Sequence, residues 1–411
     1  MIYILLYISE VVILLLFEKR LWGTLLTPVN MLSLPCTIVI LIAIAYSYSS
    51  DTIPDFYLPS LTVWGLGLML FAIPSVILSK LSKKRRFSYK VIGNDDAYKI
   101  IYTIGVICIF FSLVRVLNIV GAGLSFGNEE FINEYETSGI LAHMNVLMSV
   151  IFSYMIFKSD SNHKFSYLII VLSLIGMYAV GVKSWIIAPF LIGYYARLIT
   201  NRTVFTIKSV ILPILASVGF FLFSYYLIMI ISGDVELTSG WTDFIINHFL
   251  LYLIGGPLSF SLDYQQGILE PIMQESLIGP LIDIFKAIFG GEYTEKINPV
   301  FLSIGELGET NVRTFLGTIW AYAQDGMIFI VVVISLSFYI HIVFALSKRS
   351  NNIFIILAHC SNLVLLSFGF FEFYWLNLSA YEMPAILLML STLPKIKLSL
   401  RPPMQNSTKS Q

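Results

Sequence analysis

Long apolar runs, interrupted by short polar stretches, dominate the chain from its first residue almost to its last. Eleven runs can be drawn, at residues 1–17, 29–47, 59–80, 98–120, 139–157, 166–182, 184–200, 209–231, 315–345, 353–371 and 378–394. A helix needs about 20 apolar residues to cross the hydrocarbon core of a bilayer, and each run approaches or exceeds that. The pattern predicts an all-α, polytopic integral membrane protein of about eleven transmembrane helices.

Between the eighth and ninth runs the pattern changes. About 80 residues, 232–314, form one large segment of mixed character. Within it, His248 to Leu262 is apolar but broken by Gly255-Gly256-Pro257. Leu277 to Phe289 is a second apolar stretch, entered through Gly279-Pro280 and closed by Gly290-Gly291. Both predict short amphipathic or re-entrant helices. Irregular backbone at membrane depth survives only under protein or beside water, so this segment is expected to cap a cavity among the spans. The domain expectation is one polytopic domain over 1–411, with 232–314 as the cap and 395–411 as a polar cytoplasmic tail.

Charge orients the array. With the N-terminus outside and strict alternation, 20 of the 25 Lys and Arg residues fall inward, among them Lys19, Arg20, the basic stretch from Lys80 to Lys99, Lys348 and Arg349. Enrichment of Lys and Arg in short loops is the cytoplasmic signature. The first run has no basic residue before it and Lys19-Arg20 after it, the reverse of a secretory signal, which predicts a retained helix with its N-terminus outside. The C-terminus is then inside and 232–314 outside.

Composition narrows the class. Hydrophobic residues make up 57% and charged residues 12%, against roughly 25% charged in ordinary soluble domains. The formal net charge is zero, so no bulk field favours nucleic acid as a partner. Cys36, Cys108 and Cys360 all lie in apolar runs and read as small core residues.

Five cations escape the inward rule: Arg115, Lys183, Lys286, Lys296 and Arg313. Arg115 lies inside the fourth run, where an arginine must face protein, water or an anion. It either snorkels, pairs with Glu129 or Glu134, or binds an anion. Lys183, in Gly181-Val182-Lys183-Ser184, is either an interfacial lysine or an anion contact beside the amides that open the next helix. Arg313, in Asn311-Val312-Arg313-Thr314, either bridges to Glu306 or Glu309 or grips phosphate through two donors. Lys286 and Lys296 read as a solvated face. For proton transfer the candidates are His248 and the acids Asp263, Glu306, Glu309 and Asp325. No phosphate-binding glycine loop, His-Glu-x-x-His or outward Asp-x-Asp is present, so no metal or cofactor is expected.

This layout resembles the Wzy-type oligosaccharide repeat-unit polymerases of bacterial O-antigen and capsule assembly. The resemblance rests on the architecture and on two local matches. Gly181-Val182-Lys183-Ser184 is similar to that family's Gly-x-Lys/Arg-Ser turn. Asn311-Val312-Arg313-Thr314, followed by Tyr322 and Asp325-Gly326, is similar to its Asn-Val-x-Thr … Tyr … Asp-x-Gly pattern, without the aromatic usual between Asp and Gly. The resemblance implies a metal-independent glycosyltransferase in the bacterial cytoplasmic (inner) membrane, extending lipopolysaccharide or capsule glycans. Its substrate would be an oligosaccharide on undecaprenyl pyrophosphate. Arg115, Lys183 and Arg313 would hold the pyrophosphate, Asn311 and Tyr322 the glycan, and His248 or Asp325 the proton. A chain-length regulator and a flippase of the same pathway are the implied partners, besides membrane lipids. An O-antigen ligase and a lipid-linked oligosaccharide flippase remain as alternatives.

Overall fold

The computed structural model describes residues 1–81, 95–124, 129–135, 140–160, 164–179, 184–232, 239–267, 273–292, 294 and 298–392. The tail at 395–411, Lys183 and Lys296 lie outside the described residues.

The chain is all-α. In order the helices are α1 (Ile2–Trp22), α2 (Pro28–Ser49), α3 (Leu61–Leu81), α4 (Asp95–Gly121), α5 (Glu129–Tyr135), α6 (Ile140–Lys158), α7 (Phe165–Ala179), α8 (Ser184–Ile199) and α9 (Ile207–Ser232). There follow α10 (Ser239–Gln266), α11 (Gly279–Phe289), α12 (Phe315–Ala323), α13 (Gly326–Arg349), α14 (Ile353–Ser367) and α15 (Ser379–Leu390). The only strands among the described residues are β1 (Leu302–Ser303) and β2 (Glu309–Thr310), a two-residue antiparallel pair. Among the described residues, six helices are long and apolar enough to cross a membrane, and five shorter apolar helices accompany them. The protein is a polytopic membrane protein.

Helix ends follow the charge pattern. Lys19 and Arg20 close α1, Lys80 closes α3, Lys158 α6, Arg197 α8, and Lys348 with Arg349 α13. Cations in the last turn complement the negative end of the helix dipole. Two contacts show that such ends gather on one side. Lys348 Nζ donates to the Trp22 carbonyl at 2.6 Å, and Arg197 donates to the Ser159 carbonyl at 2.7 Å. We refer to this side as the Trp22 end and to the opposite side as the Ile53 end.

The helices form two groups. One apolar core joins α1, α2, α3, α10, α12 and α13 around Trp64, Phe71 and Phe315. The second joins α4, α6, α7, α8, α14 and α15 around Tyr154, Phe157 and Phe354. They meet chiefly where α14 packs on α2 and α13.

Two features depart from the sequence expectation. Residues 239–266 form one 28-residue helix that runs through Gly255-Gly256-Pro257, not a short broken element. By length and composition α10 qualifies as a span, but its contacts place it across the Ile53 end. Tyr264, near its C-terminus, lies 6.2 Å from Tyr57 in the α2–α3 connection, and Tyr252 stacks on Phe371 in the α14–α15 connection at 5.0 Å. Helix order agrees. The end of α13 touches the end of α1, so α13 starts at the Ile53 end. The nine-residue α12 is too short to return a chain that α10 had carried across.

The second departure concerns the run 315–345, which is two helices. Gln324 takes a left-handed conformation (φ 48°) and ends α12, and Asp325 then caps α13. The Phe315 ring lies 5.9 Å from Phe71. Phe71 is ten residues along α3 from Leu61, about 15 Å at 1.5 Å per residue. The turn entering α12 therefore dips well below the Ile53 face, and α12 climbs back. This is the re-entrant element of the fold.

Candidate functional site

Three segments converge at Gly256 on α10. A Cβ built there would sit 2.8 Å and 2.9 Å from the carbonyls of Phe371 and Phe370, and 3.4 Å from the Thr314 methyl. Glycine is required by this close approach, because any side chain would push the backbones apart. The amide of Phe315 donates to the Gly369 carbonyl at 2.7 Å, and Ser259 Oγ donates to the Val312 carbonyl at 2.5 Å. The turn before α12 is thus fixed between α10 and the α14–α15 connection.

Arg313 sits at the centre of this junction. Its Nε donates to Asp263 Oδ2 at 2.5 Å and its Nη1 to the Val312 carbonyl at 3.2 Å. Both side chains are buried, Arg313 at 1% exposure and Asp263 at 6%. The pairing with Glu306 or Glu309 expected from sequence is therefore replaced. Those two carboxylates are exposed on and beside the two-residue hairpin. Asp263 Oδ1 finds no hydrogen-bond partner among the described residues, although it is buried. A buried, half-satisfied carboxylate beside an arginine is an acceptor awaiting a donor.

The other sequence candidates take these places. Asn311 Nδ2 donates to the Asn298 carbonyl at 2.8 Å, which holds the turn against the preceding strand of chain. Tyr322 is buried in the first apolar core. Asp325 is exposed, and its Oδ1 accepts from the amides of Met327 (2.6 Å) and Ile328 (3.2 Å), a helix N-cap. His248 is half-buried, its ring within 4.9 Å of Tyr252, 5.4 Å of Tyr225 and 5.5 Å of Phe244.

Arg115 belongs to the other helix group. Its Nη2 donates to the backbone carbonyl of Glu134 at 2.5 Å, and its guanidinium lies 5.1 Å from the Tyr135 ring centroid. It lines a cleft with Ser112, Tyr135 and Asn145 between α4, α5 and α6. The Glu129 side chain lies outside the described residues. Arg115 and Arg313 are not brought together. Lys286 is half-buried on α11, with its stem against Gly291. No cluster of three metal-ligating side chains occurs among the described residues.

One acid that the sequence pattern did not single out stands in the junction. Glu372 follows Phe371, in the turn that ends α14, and interacts electrostatically with Tyr252 of α10 and with Tyr374. Burial pushes its carboxyl up to about 7. Its one sequence signal is its setting: a single acid in Phe370-Phe371-Glu372-Phe373-Tyr374-Trp375.

With this geometry defined, comparison with known proteins adds one relationship. A model of a family of unknown function (DUF6337) matches residues 52–400. The chain belongs to this family. The matched region takes in all three segments that meet at Gly256. No curated protein and no solved structure matches the chain significantly.

Proposed function

We propose that the protein polymerises oligosaccharide repeat units carried on undecaprenyl pyrophosphate, at the outer face of the bacterial cytoplasmic membrane, in O-antigen or capsule synthesis. The observation that carries this is the Arg313–Asp263 pair, buried in a re-entrant turn below one face of the bundle. Ionisable side chains within a membrane protein are expensive to bury and mark substrate paths. Here one is a cation suited to phosphate, and the other keeps an unpartnered oxygen suited to a sugar hydroxyl. The positive-inside pattern of the sequence supports an orientation with this face and the N-terminus outside and the C-terminus inside.

In this account the donor's pyrophosphate takes the place of Asp263 on the Arg313 guanidinium, and Asp263 turns to the glycan. Fixed cations stabilise the charge that spreads onto the leaving lipid pyrophosphate. Arg115, at its own cleft, and Lys183 supply further contacts to anionic substrate. Asn311 and His248 border the glycan path.

Transport of the same lipid-linked glycan is favoured by a different observation, the division of the helices into two groups joined at α14. The cap opposes it. The segments around α11 and Gln274–Ile278 pack on Tyr374–Leu376, which joins the first core although it lies between α14 and α15 of the second group, so this connection ties both groups together at the Ile53 end.

A deletion strain tests the proposal. Its surface polysaccharide should run on a gel as a single capped repeat. Polymer that persists on carrier lipid but is not attached would point to a ligase, and absence of outward repeat units to a flippase.

A further inference from the structure

A transfer that joins two sugars needs a group to take the proton of the attacking hydroxyl, and most acids and bases of the cap are committed elsewhere. Asp263 is held by Arg313 at rest and, in the account above, by the glycan once the donor is bound; Asp325 caps α13, and Glu306 and Glu309 stand in solvent. The ring of His248 is held among Tyr225, Phe244 and Tyr252. Glu372 differs from all of these. Its carboxyl is half-buried, and no hydrogen bond from a described residue reaches it. The groups facing it are the phenols of Tyr252 and Tyr374, with no cation recorded against it.

Its position is fixed from both sides. The Glu372 amide donates to the Phe368 carbonyl at 3.4 Å, and the preceding ring of Phe371 lies flat on Tyr252, 5.0 Å away and 7° from parallel. The carbonyls of Phe370 and Phe371 press on Gly256, whose other neighbour is Thr314, next to Arg313. A carboxyl and a guanidinium are thus delivered to opposite sides of one glycine, where an acceptor sugar and a donor pyrophosphate would meet.

We infer that Glu372 is the catalytic base of the transfer, an inference that rests on the function proposed above. The acceptor hydroxyl gives its proton to the Glu372 carboxylate as its oxygen bonds to the anomeric carbon of the donor. The bond from that carbon to the pyrophosphate oxygen breaks, and the lipid pyrophosphate leaves with the electron pair. Tyr252 and Tyr374 line the base. Burial brings its ionisation to about 7, where it can both accept and return a proton at neutral pH.

The test uses the full chain in nanodiscs, supplied with lipid-linked repeat units, comparing wild type with Glu372→Gln and Glu372→Asp. Elongation by wild type should rise with pH through an apparent pKa near 7. Glu372→Gln should slow it by about 100-fold or more, in line with the usual contribution of a general base, and should abolish that limb. Glu372→Asp should retain part of the rate and the limb. A readout independent of activity accompanies these. Burial raises the folded-state pKa from the ordinary carboxyl value of 4.5 to about 7. The stability tied to the neutral carboxyl is therefore full below about 4.5 and is lost as pH rises through 7. The unfolding temperature of wild type relative to Glu372→Gln should fall across that window. Full-rate elongation by Glu372→Gln with an unchanged pH profile overturns the base role and leaves the polymerase proposal standing. Failure of wild type to elongate at any pH overturns both, and the unfolding temperatures then show whether the carboxyl still titrates.

Discussion

Arg313 and Asp263, 50 residues apart in sequence, form a buried ion pair, joined at 2.5 Å between the re-entrant turn and α10. Removing one partner of such a pair strands the other charge, which costs about 3–5 kcal/mol, whereas replacing both by apolar groups is often neutral. Arg313→Met should therefore lower the unfolding temperature in detergent, and the double variant Asp263→Leu/Arg313→Met should recover it. Neither should make polymer. An unchanged unfolding temperature in the single variant would remove the structural role assigned to the pair. Arg313→Lys should stay impaired, since lysine lacks the Nε donor and the planar fork.

Asp325 separates capping from chemistry. Serine also caps helices well, so Asp325→Ser should keep near-normal stability and near-normal polymer, while Asp325→Ala should lose about 1 kcal/mol of stability. Polymer gels and thermal melts of the two variants decide this. Loss of all polymer in the serine variant, with protein level intact, would return Asp325 to the list of bases.

The other cations that escape the inward rule should divide by setting. Arg115→Ala and Lys183→Ala should abolish polymer without changing protein level, because both are assigned to the anionic substrate. Lys286→Ala should be mild, because its side chain lies along α11 against Gly291. Equal, small effects of all three on chain-length distribution would leave Arg115 as a clamp on α5 only.

Cysteine labelling checks the orientation. Cys36, Cys108 and Cys360 are all buried, so the native background should be low. Asn298 is buried, which makes it a poor reporter; Ser303 and Asn351 are exposed and suit the purpose. Ser303→Cys should react with an impermeant maleimide on intact spheroplasts, and Asn351→Cys only after permeabilisation. The opposite pattern would place the Gly256 junction on the cytoplasmic side.

Much of the architecture was legible because bilayer crossing imposes long apolar runs. The run 29–47 became α2 (Pro28–Ser49), 98–120 became α4 (Asp95–Gly121), and 209–231 became α9 (Ile207–Ser232). Where tertiary contacts override local signals, the pattern misled. Gly255-Gly256-Pro257 reads as a helix break, yet α10 continues through it, and the glycine at 256 serves the close approach of the Phe370 and Phe371 carbonyls instead. The run 315–345 hides a turn, because one Gln-Asp pair inside apolar sequence suffices to end α12 and cap α13. Arg313 stood out as a misplaced cation, but its partner did not, since Asp263 and Glu306 are equally polar in sequence and only packing chooses between them. Glu372 was invisible for the converse reason: one acid in an apolar run carries no periodic signal, and its setting depends on Tyr252, 120 residues earlier.

The most direct test of the central claim is elongation of the substrate by the protein alone. Purified full-length protein in nanodiscs, given only lipid-pyrophosphate-linked repeat units, should convert them to longer glycans in the presence of EDTA and without nucleotide, because the lipid pyrophosphate linkage supplies the energy and arginine the charge stabilisation. The rate should fall as salt is raised, but gently, because screening weakens exposed contacts to pyrophosphate more than buried ones. Unextended repeat units under all these conditions, or elongation that depends strictly on added magnesium or manganese, would contradict the account.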